Sequence, residues 1–500
     1  MRLVGIVAFI VSLIVPGNGI CQHREDYIWQ LGKSSDANID DFPQSIQVNF
    51  NNSQLTSDTF YRPFYMGYFN TSISNGIGEL LLYTNGCQVM SANHENIPGS
   101  DTLNPGIVDL EWCVGAKLGY PVFEGGLFLS FSNDSCILLL HQRLIIESHP
   151  TGLSVDTLFY SEFIKSNDEY VLSKKSVPIC GGKLLQGNLE AFKSEDGHGW
   201  WVIQQVEDSN IYVTIKVDSC KIDTVFTQEI GTKISATDIA QSVFSPNGLK
   251  YARFGSKNQL FLFDFNRTNG HLSNFQEIHI SDEGQYAGIA FSPNNRFLYV
   301  CNSTDVFQLD LFSENIENSK ILLGQYDGFL DPFPTRFNLM QLGPDCRIYI
   351  GSTNGVKSMH LIKEPDLLGL ESEFEQHAFH FPVNNSITIP NFPNFRYDTT
   401  FPCDPNITNF LSQYYNPMSE AVIFPIPTHD DINIQLSEEW MNEKVISFEV
   451  SNISGQLIFS NYLTKSMDPQ KFSLPYLLPG VYFIFIKSTT KWYSKRIVFY

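Results

Sequence analysis

The sequence is poor in positive charge. Its 32 Lys and Arg residues stand against 53 Asp and Glu residues, which gives a formal net charge of −21. Proteins that bind nucleic acid need a basic surface to displace the counterions of the phosphates, and proteins that adsorb to anionic membranes need polybasic segments. We therefore expect neither a nucleic-acid partner nor electrostatic adsorption to a membrane surface.

Cysteine is also sparse, with 9 residues in 500 and no Cys-x-x-Cys pair. This spacing argues against a zinc ribbon and against a thioredoxin-type redox site. We expect most of the cysteines to be small buried hydrophobic residues. One or two disulfides are compatible with an exported chain, but the spacing does not define their pairing.

Local motifs for catalysis and metal binding are missing. The sequence has no Gly-x-Ser-x-Gly elbow, no phosphate-binding P-loop and no EF-hand loop. His94 and Glu95 begin a zincin motif, but Pro98 stands where its second histidine is needed. His377 and His380 would point to opposite faces of a strand, because successive side chains alternate. We therefore predict no catalytic residue, no metal site and no bound cofactor.

The longest apolar run lies at the N-terminus. The 13 residues from Leu3 to Val15 precede a short segment with two glycines, which predicts a signal peptide over residues 1–19 with cleavage between Gly19 and Ile20. An uncleaved anchor is the alternative, although 13 residues are too few to span a hydrocarbon core of ~30 Å. Lipidation at Cys21 is a second alternative, although Ile20 stands where a lipoprotein signal needs a small residue. We expect no transmembrane segment in the mature chain.

Aromatic residues are abundant, at 14%, while charged residues amount to 17%. This composition is typical of β-sheet proteins, because flat rings and branched side chains suit a pleated surface. After the predicted signal peptide, helical periodicity is hard to find. Short apolar segments alternate instead with turns of Gly, Asn, Asp, Ser or Pro. The sequence therefore predicts an all-β fold.

An internal repeat indicates the architecture. The segments VFSPNGLKYARFGSKNQLFLFDFN and AFSPNNRFLYVCNSTDVFQLDLFS place Pro246 and Pro293 47 residues apart, and a weaker copy aligns Pro344 a further 51 residues on. A period of 40–50 residues with several strands is typical of a β-propeller blade. At about 48 residues per blade, residues 45–400 would hold about seven four-stranded blades. Six or eight blades, or a large β-sandwich, are the alternatives.

Two adjacent tryptophans, Trp200 and Trp201, are the most prominent aromatic residues. On a strand they face opposite ways. We interpret them as packing between blades, with a stacking platform for a sugar or a peptide as the alternative. We interpret Trp112 in the same way. Turn chemistry explains the acidic loop Ser194–Gly199, although its carboxylates could hold a cation.

The pattern changes after residue 400. Residues 401–420 contain three prolines and are predicted to form a linker. Residues 421–500 show short alternating strands, which predict a small antiparallel, immunoglobulin-like β-sandwich. The predicted strands are Ala421–Phe424, Ile432–Leu436, Val445–Val450, Gln456–Ser460, Val481–Lys487 and Lys491–Phe499.

Three motifs follow one another in this last segment. They are an aromatic-Pro-x-Pro-Thr opening, a strand–Gly-Gln–strand unit at 448–460 and a Leu-Pro-Gly-Val-Tyr segment within 474–486. In this order they resemble the type A C-terminal sorting domain of the type IX secretion system of Bacteroidota, with Ile426 replacing the usual Asn. The residues that carry the resemblance are Phe424, Pro425, Pro427, Thr428, Gly455, Pro479, Gly480 and Tyr482, followed by the closing Lys495 and Arg496.

The resemblance implies that the type IX secretion machinery recognises this tail and exports the chain across the outer membrane. The tail would then be removed, and the mature protein would be released or attached to a surface glycolipid. Residues 45–400 also resemble the WD40-like or YVTN-like propeller bodies of secreted proteins of these bacteria. The resemblance lies in phrases that we interpret as blade strands and turns, namely those at 78–100, 197–205, 341–355 and 387–396 (ITIPNFPNFR).

The sequence thus predicts a secreted or cell-surface propeller, acting as a non-enzymatic binding module for an extracellular glycan or protein. A hydrolase or lyase with a dispersed active site at the ring axis is the alternative, because loops from every blade can converge there. An adhesion or gliding component is a third possibility. Inward-facing His, Asp and Glu residues at the axis would favour the enzyme.

Overall fold

The computed structural model describes residues 23–35, 43–51, 54–131, 135–147, 152–235, 238, 240–282, 288–396, 403, 409–410, 421–425, 428, 431–443, 445–452, 457–474, 477–488 and 492–499. The predicted cleavage site, Gly19 and Ile20, lies outside these residues, as do Pro427 and Gly455 of the sorting motifs. Strands dominate the described chain, which confirms the predicted all-β class. None of the described helices is long and apolar enough to cross a membrane.

Seven sheets follow one another along the described part of residues 28–380, and each forms one blade. This confirms the predicted propeller of about seven blades. The strands are Ile28–Gly32, Ser45–Asn49 and Gln54–Phe60 in blade 1, Thr71–Ser74, Leu80–Thr84 and Val89–Ser91 in blade 2, Gly126–Ser130, Cys136–Ile146, Leu153–Ser166 and Glu169–Leu184 in blade 3, Glu190–Lys193, Trp200–Gln205, Ser209–Asp218 and Lys221–Ile234 in blade 4, Ala240–Phe244, Lys250–Gly255, Gln259–Phe265 and Leu272–His279 in blade 5, Gly288–Phe291, Phe297–Cys301, Asp305–Asp310 and Ile321–Gln325 in blade 6, and Phe337–Leu342, Ile348–Ser352, Ser358–Ile362 and Phe374–His380 in blade 7.

Four short helices interrupt the blades, although the sequence showed no helical periodicity. They are Ile107–Asp109, the π-helical turn Leu110–Gly115, Glu317–Ser319 and Gly369–Ser372. Each is six residues or shorter. A helix of one or two turns is too short to establish a 3.6-residue period in the sequence.

The ring closes between the last blade and the first. The first strands of blades 1, 2 and 3 contact one another in sequence, and so do those of blades 4, 5, 6 and 7. Between blades 7 and 1, the ring of Trp29 lies 5.1 Å from that of Tyr349, and Phe50 lies 5.8 Å from the same tyrosine. Blade 1 also takes its fourth strand from Asn409–Phe410, which pairs in parallel with Gln54 and Leu55. The end of the body thus completes the blade that begins it.

The repeat seen in the sequence corresponds to one recurrent turn. It joins the first and second strands of blades 5, 6 and 7. Two residues after the aligned prolines, Gly248, Asn295 and Cys346 all have left-handed backbone, with φ of 68°, 64° and 68°. Only residues such as Gly and Asn adopt this conformation at low cost. The 47- and 51-residue spacings in the sequence are therefore the distances along the chain from one blade to the next.

The C-terminal segment forms two further sheets with a core of their own. The core surrounds Trp440, which is fully buried on the short helix Glu438–Asn442. Residues alternate between buried and less buried along Asp431–Leu436, as in a half-buried strand. One of the seven strands, Gln470–Ser473, was not predicted. The strands are Ala421–Phe424, Asp431–Leu436 and Gln470–Ser473 in one sheet, and Leu457–Leu463, Ile446–Asn452, Gly480–Lys487 and Trp492–Phe499 in the other.

Three disulfides join described residues, where the sequence led us to expect one or two. Such cross-links typically stabilise a fold by about 2–4 kcal/mol each. Cys180 and Cys301 are unpaired. The pairs are Cys87–Cys113 between blade 2 and the π-helical turn, Cys136–Cys220 between blades 3 and 4, and Cys346–Cys403 between blade 7 and the predicted linker.

The first blade begins earlier than the predicted propeller boundary. Strand Ile28–Gly32 pairs with Ser45–Asn49, so the first sheet starts 17 residues before position 45. The strand was overlooked because its sequence, IWQLG, contains no turn residue before Gly32 and shows little alternation. All five of its residues are buried, as expected for an inner strand covered on both faces.

Candidate functional site

Residues 385–396 run through the centre of the ring, and we call them the axial segment. Asn385 accepts a hydrogen bond through Oδ1 from the Gly32 amide of blade 1 at 3.1 Å. Asn338 of blade 7 donates to the Ile387 carbonyl at 2.9 Å. This segment includes the phrase ITIPNFPNFR, which the sequence led us to interpret as a blade strand and turn. That interpretation is wrong, because its partners belong to several blades at once.

Asn391 is the residue that ties most blades to the axial segment. Its side-chain amide donates to the carbonyls of Gly126 in blade 3 and Leu189 next to blade 4, at 3.3 and 3.0 Å. Its backbone amide donates to the Asn70 carbonyl at 2.9 Å, and its carbonyl accepts from Thr71 Oγ1 at 2.8 Å. Asn391 and the four residues that it contacts are all buried, so these bonds form away from water. One residue, through its side chain and its backbone, therefore links three neighbouring blades.

The rest of the axial segment fills the channel with rings and an ion pair. Phe395 packs edge-on against Trp200, with ring centroids 5.5 Å apart, and Phe392 lies 6.2 Å from Trp29. Arg396 forms a buried ion pair with Asp26. Because both charges are desolvated, removing one partner would leave the other buried and uncompensated.

A cavity of about 60 Å³ remains at the axis beside this segment. Its lining includes two carboxyl groups, Glu124 and Glu190, together with Gln241. Both glutamates are almost fully buried, with 7% and 4% of their surface exposed. A cavity of this size holds a few water molecules, whereas small-molecule sites typically measure about 300–1,000 Å³.

The two axial glutamates are held in an environment that disfavours charge. Burial raises the pKa of Glu124 to about 8, against the opposing effect of hydrogen bonds from the Ser242 amide and Gln241. The pKa of Glu190 is raised well above its usual value by burial and then by Glu124. At neutral pH the Glu124 carboxyl group is therefore mostly protonated and can donate a hydrogen bond, and burial shifts the pKa of Glu190 in the same direction.

The tryptophan pair spans the two interfaces of blade 4. Trp200 donates from Nε1 to the Ser130 carbonyl of blade 3 at 2.8 Å, and Trp201 donates to the Arg267 carbonyl of blade 5 at 2.7 Å. Both are at least 94% buried, with exposures of 0% and 6%. Packing between blades, rather than a stacking platform, is therefore their role. Trp112 instead lies on the π-helical turn, edge-on to Tyr68.

The histidines named in the sequence have structural partners. His94 stacks on Phe60, with centroids 4.2 Å apart, and its Nδ1 lies 2.9 Å from the Tyr83 hydroxyl. His377 lies 3.1 Å from Asp327, and its ring is 4.9 Å from that of His360. Within the described residues, no three His, Cys, Asp or Glu side chains form a metal-binding group.

The acidic loop Ser194–Gly199 is a hydrogen-bonded turn. Asp196 Oδ1 accepts from Ser194 Oγ at 2.6 Å and from the His198 amide at 3.0 Å. These bonds lower the pKa of Asp196. The carboxylate is thus engaged by its own loop, as turn chemistry predicts.

Sequence reasoning missed Glu124, Glu190 and Asn391. A signal was present for Glu190, because an acidic residue opens the short, fully buried inner strand EAFK. For Asn391 the signal was the duplicated Pro-Asn-Phe pattern, PNFPNF, which lacks the alternation of a strand. Neither signal reveals that the segment lies at the axis, since its partners are up to 370 residues away.

The sorting motifs meet within the C-terminal sandwich. Thr428 of the first motif pairs with the last strand, where its amide donates to the Val498 carbonyl at 2.9 Å. Tyr482 of the third motif packs edge-on against Phe499 and donates to the Leu478 carbonyl at 2.9 Å. Pro479 and Gly480 stand at the beginning of the strand that contains Tyr482. Phe424 is the last residue of strand Ala421–Phe424, and Pro425 follows it. Lys495 and Arg496 lie on the last strand, Trp492–Phe499.

Residues 422–500 match a family model described as the secretion system C-terminal sorting domain. The tail of this chain is a sorting domain of that family. It marks the propeller for export, to the outer surface or the medium, and it is the part that interacts with the secretion machinery. None of the curated proteins compared with the chain matches it.

Several solved propellers are similar to the body in fold. A 6-phosphogluconolactonase candidate from Bacteroides uniformis is 11% identical, covers 72% of this chain and 98% of its own, and has a TM-score of 0.43. The periplasmic gluconolactonase of Pseudomonas aeruginosa is 9% identical (73% and 100% covered, TM-score 0.31). The Cps50 propeller of Myceliophteria thermophila is 8% identical (62% and 89% covered, TM-score 0.34). None of these likenesses says what this chain binds or catalyses.

Proposed function

We propose that the exported propeller is a non-enzymatic binding module for an extracellular glycan or protein. The observation that carries this proposal is the axial segment. The site at which a dispersed active centre would form is filled by the chain's own Asn385–Arg396, and the cavity left beside it measures about 60 Å³. Binding would then use the rims and outer faces of the blades, where loops are free to vary.

The test uses the full-length protein, immobilised and probed against panels of bacterial and host glycans and of extracellular proteins. We expect saturable binding of at least one class of ligand. A reporter protein carrying residues 421–500 alone is the control, because it should retain the tail and lose the binding. Turnover of a substrate with no saturable binding partner would overturn the proposal.

A hydrolase or lyase is the second candidate, and one observation favours it. Glu124 and Glu190 are neighbouring carboxyl groups at the axis, and their pKa values are both raised. A carboxyl group that stays protonated near neutral pH can act as a general acid. Under this alternative, Glu190→Gln would abolish turnover while the thermal stability stayed equal or rose. An unchanged rate would exclude this pair from catalysis.

We also propose that the tail is removed after export. Asn409–Phe410 belongs to blade 1 and Cys403 is bonded to blade 7. Cleavage on the C-terminal side of Phe410 would therefore leave the ring complete. Mass spectrometry of the secreted protein should give an N-terminus at Ile20 and a C-terminus between residues 411 and 425. An intact tail on the exported protein would contradict this.

A further inference from the structure

A second cavity, of about 270 Å³, lies beside blade 2. The helical residues 107–115 border it, and the disulfide between Cys87 and Cys113 fixes them to the blade. Pro63, Phe64 and Val114 give it apolar walls. Its volume approaches the lower limit of typical small-molecule sites, and none of its lining residues borders the axial cavity.

Asp109 lines this cavity and is 1% exposed. Its Oδ1 atom is buried and has no hydrogen-bond partner. A buried carboxylate oxygen without a donor costs free energy, because nothing replaces the hydration that this atom has lost. Burial raises the pKa of Asp109 to about 6, with Lys175 opposing the rise and Asp101 adding to it. At pH 7 the group is therefore mostly ionised.

The nearby cations do not neutralise this carboxylate. Lys175 donates to the backbone carbonyl of Asp101, and Lys117, which also lines the cavity, is exposed. Within the described part of the chain, neither lysine forms an ion pair with Asp109. The net charge of −21 would raise the local concentration of small cations around the protein.

We propose that this cavity binds a small organic molecule with a protonated amine, whose ammonium group donates to Asp109 while its carbon skeleton lies against Phe64 and Val114. An ammonium supplies both the missing donor and the missing positive charge. A neutral hydroxyl supplies only the donor. The proposal extends the proposed function by naming one ligand class at a site away from the axis.

The test compares charged and neutral probes of matched shape on the full-length protein. Calorimetric titrations would use n-butylammonium against n-butanol, and glucosamine against glucose, at pH 7.5. We expect each amine to bind saturably and at least ten-fold more tightly than its neutral partner. Equal affinity within either pair, or no detectable binding of both amines, would overturn the proposal.

Two variants distinguish a loss of amine binding caused by the missing charge of Asp109 from a loss caused by misfolding. Asp109→Asn should weaken amine binding at least ten-fold without lowering the melting temperature, because it removes an unpaired buried charge. Val114→Trp changes a side chain that is 59% exposed and should block the cavity while leaving Asp109 intact. Should Asp109→Asn fail to fold, the Val114 variant decides: unchanged amine affinity would place the binding elsewhere and refute the site.

Lys117→Gln provides a control of opposite sign. Removing this positive charge from the cavity lining should strengthen amine binding by a few-fold, since the two cations no longer repel one another. Neither amine probe carries an anionic group, so weaker binding would contradict the proposed repulsion by Lys117 and, with it, a site that selects ligands by their positive charge. Absence of amine binding would leave glycan or protein binding by the propeller rims unaffected, so the two proposals fail separately.

Discussion

The propeller and the C-terminal sandwich differ in how far apart in the sequence the residues lie that hold each of them together. The propeller is closed by residues that lie far apart in the sequence: the axial segment fills its centre, Asn409–Phe410 completes blade 1, and disulfides join blades 3 and 4 and blade 7 to the linker. The sandwich has a core made only from residues of 421–499. The proposed removal of the tail after export requires that the sandwich fold without the body and that the body remain closed without the sandwich.

The largest expected effect comes from moving the truncation point across the axial segment. A chain ending at Glu420 keeps every element of the ring, so it should lose export entirely but fold with a melting temperature within a few degrees of the full chain. A chain ending at Asn384 also loses the axial segment, the fourth strand of blade 1 and one disulfide. It should fail to fold cooperatively.

Both truncated chains can be expressed in the cytoplasm and periplasm and compared by calorimetry and by limited proteolysis. Fractionation of cells measures their export. A cooperative transition in the Asn384 chain close to that of the Glu420 chain would show that the axial segment is an accessory rather than a structural part of the ring.

The next effect concerns a single side chain of the axial segment. Asn391→Ala removes two hydrogen bonds and leaves the carbonyls of Gly126 and Leu189 buried without donors. We expect a loss of about 2–4 kcal/mol, from roughly 1–3 kcal/mol per orphaned group with partial compensation. Denaturant unfolding of the full chain measures it.

Asn394→Ala is the matched control, because its side chain also makes two bonds, one donated to the Pro246 carbonyl at 3.3 Å and one accepted from the Arg396 amide at 3.0 Å, but it is partly exposed, so water can replace them. Its cost should stay below about 1 kcal/mol. Equal costs for the two variants would mean that Asn391 does not hold the blades together and that the segment is fixed by its rings and by the Arg396–Asp26 pair.

The difference between the two regions also decides how much could be predicted from the sequence. Strands and turns are local, so the repeat around Pro246, Pro293 and Pro344 was sufficient to predict blades. The sorting domain was predictable because its motifs are contiguous. The axial segment was not, since ITIPNFPNFR has no secondary structure of its own and acquires its role from partners in other blades.

The same limit applies to the two cavities. Asp109 and Glu124 stand in unremarkable sequence, and only the fold shows that each is buried. The pairing of the disulfides could not be predicted for a related reason. The fold brings the paired cysteines together from different elements, so their separation in the sequence carries no local signal. Trp200 and Trp201, in contrast, were correctly interpreted, since the alternation of a strand sends adjacent rings to opposite neighbours.

The smallest effect, taken per pH unit, comes from ionisation, which should act differently on the two regions. The pKa of Glu124 is raised to about 8 by burial, so the folded ring retains a proton that the unfolded chain loses above its ordinary pKa. The stability of the propeller should therefore fall as pH rises from about 4.5 to 8, by at most about 1.4 kcal/mol per pH unit for this group. In the sandwich, Lys471 and Ser473 lower the pKa of Asp431, so its contribution is lost instead as pH falls.

Hydrogen exchange of the full chain, corrected for intrinsic rates and resolved by peptide, measures both regions in one experiment between pH 4.5 and 8. The blades should lose protection toward high pH, and Glu124→Gln should flatten that trend, whereas the exposed Glu229→Gln should not. The strand at Asp431–Leu436 should keep its protection across this range, because the contribution of Asp431, whose pKa is lowered, is lost only below the ordinary pKa of an aspartate. Parallel slopes in the two regions would mean that the axial carboxyl groups are solvated, because only a dry axis keeps Glu124 protonated where the surface aspartate is ionised.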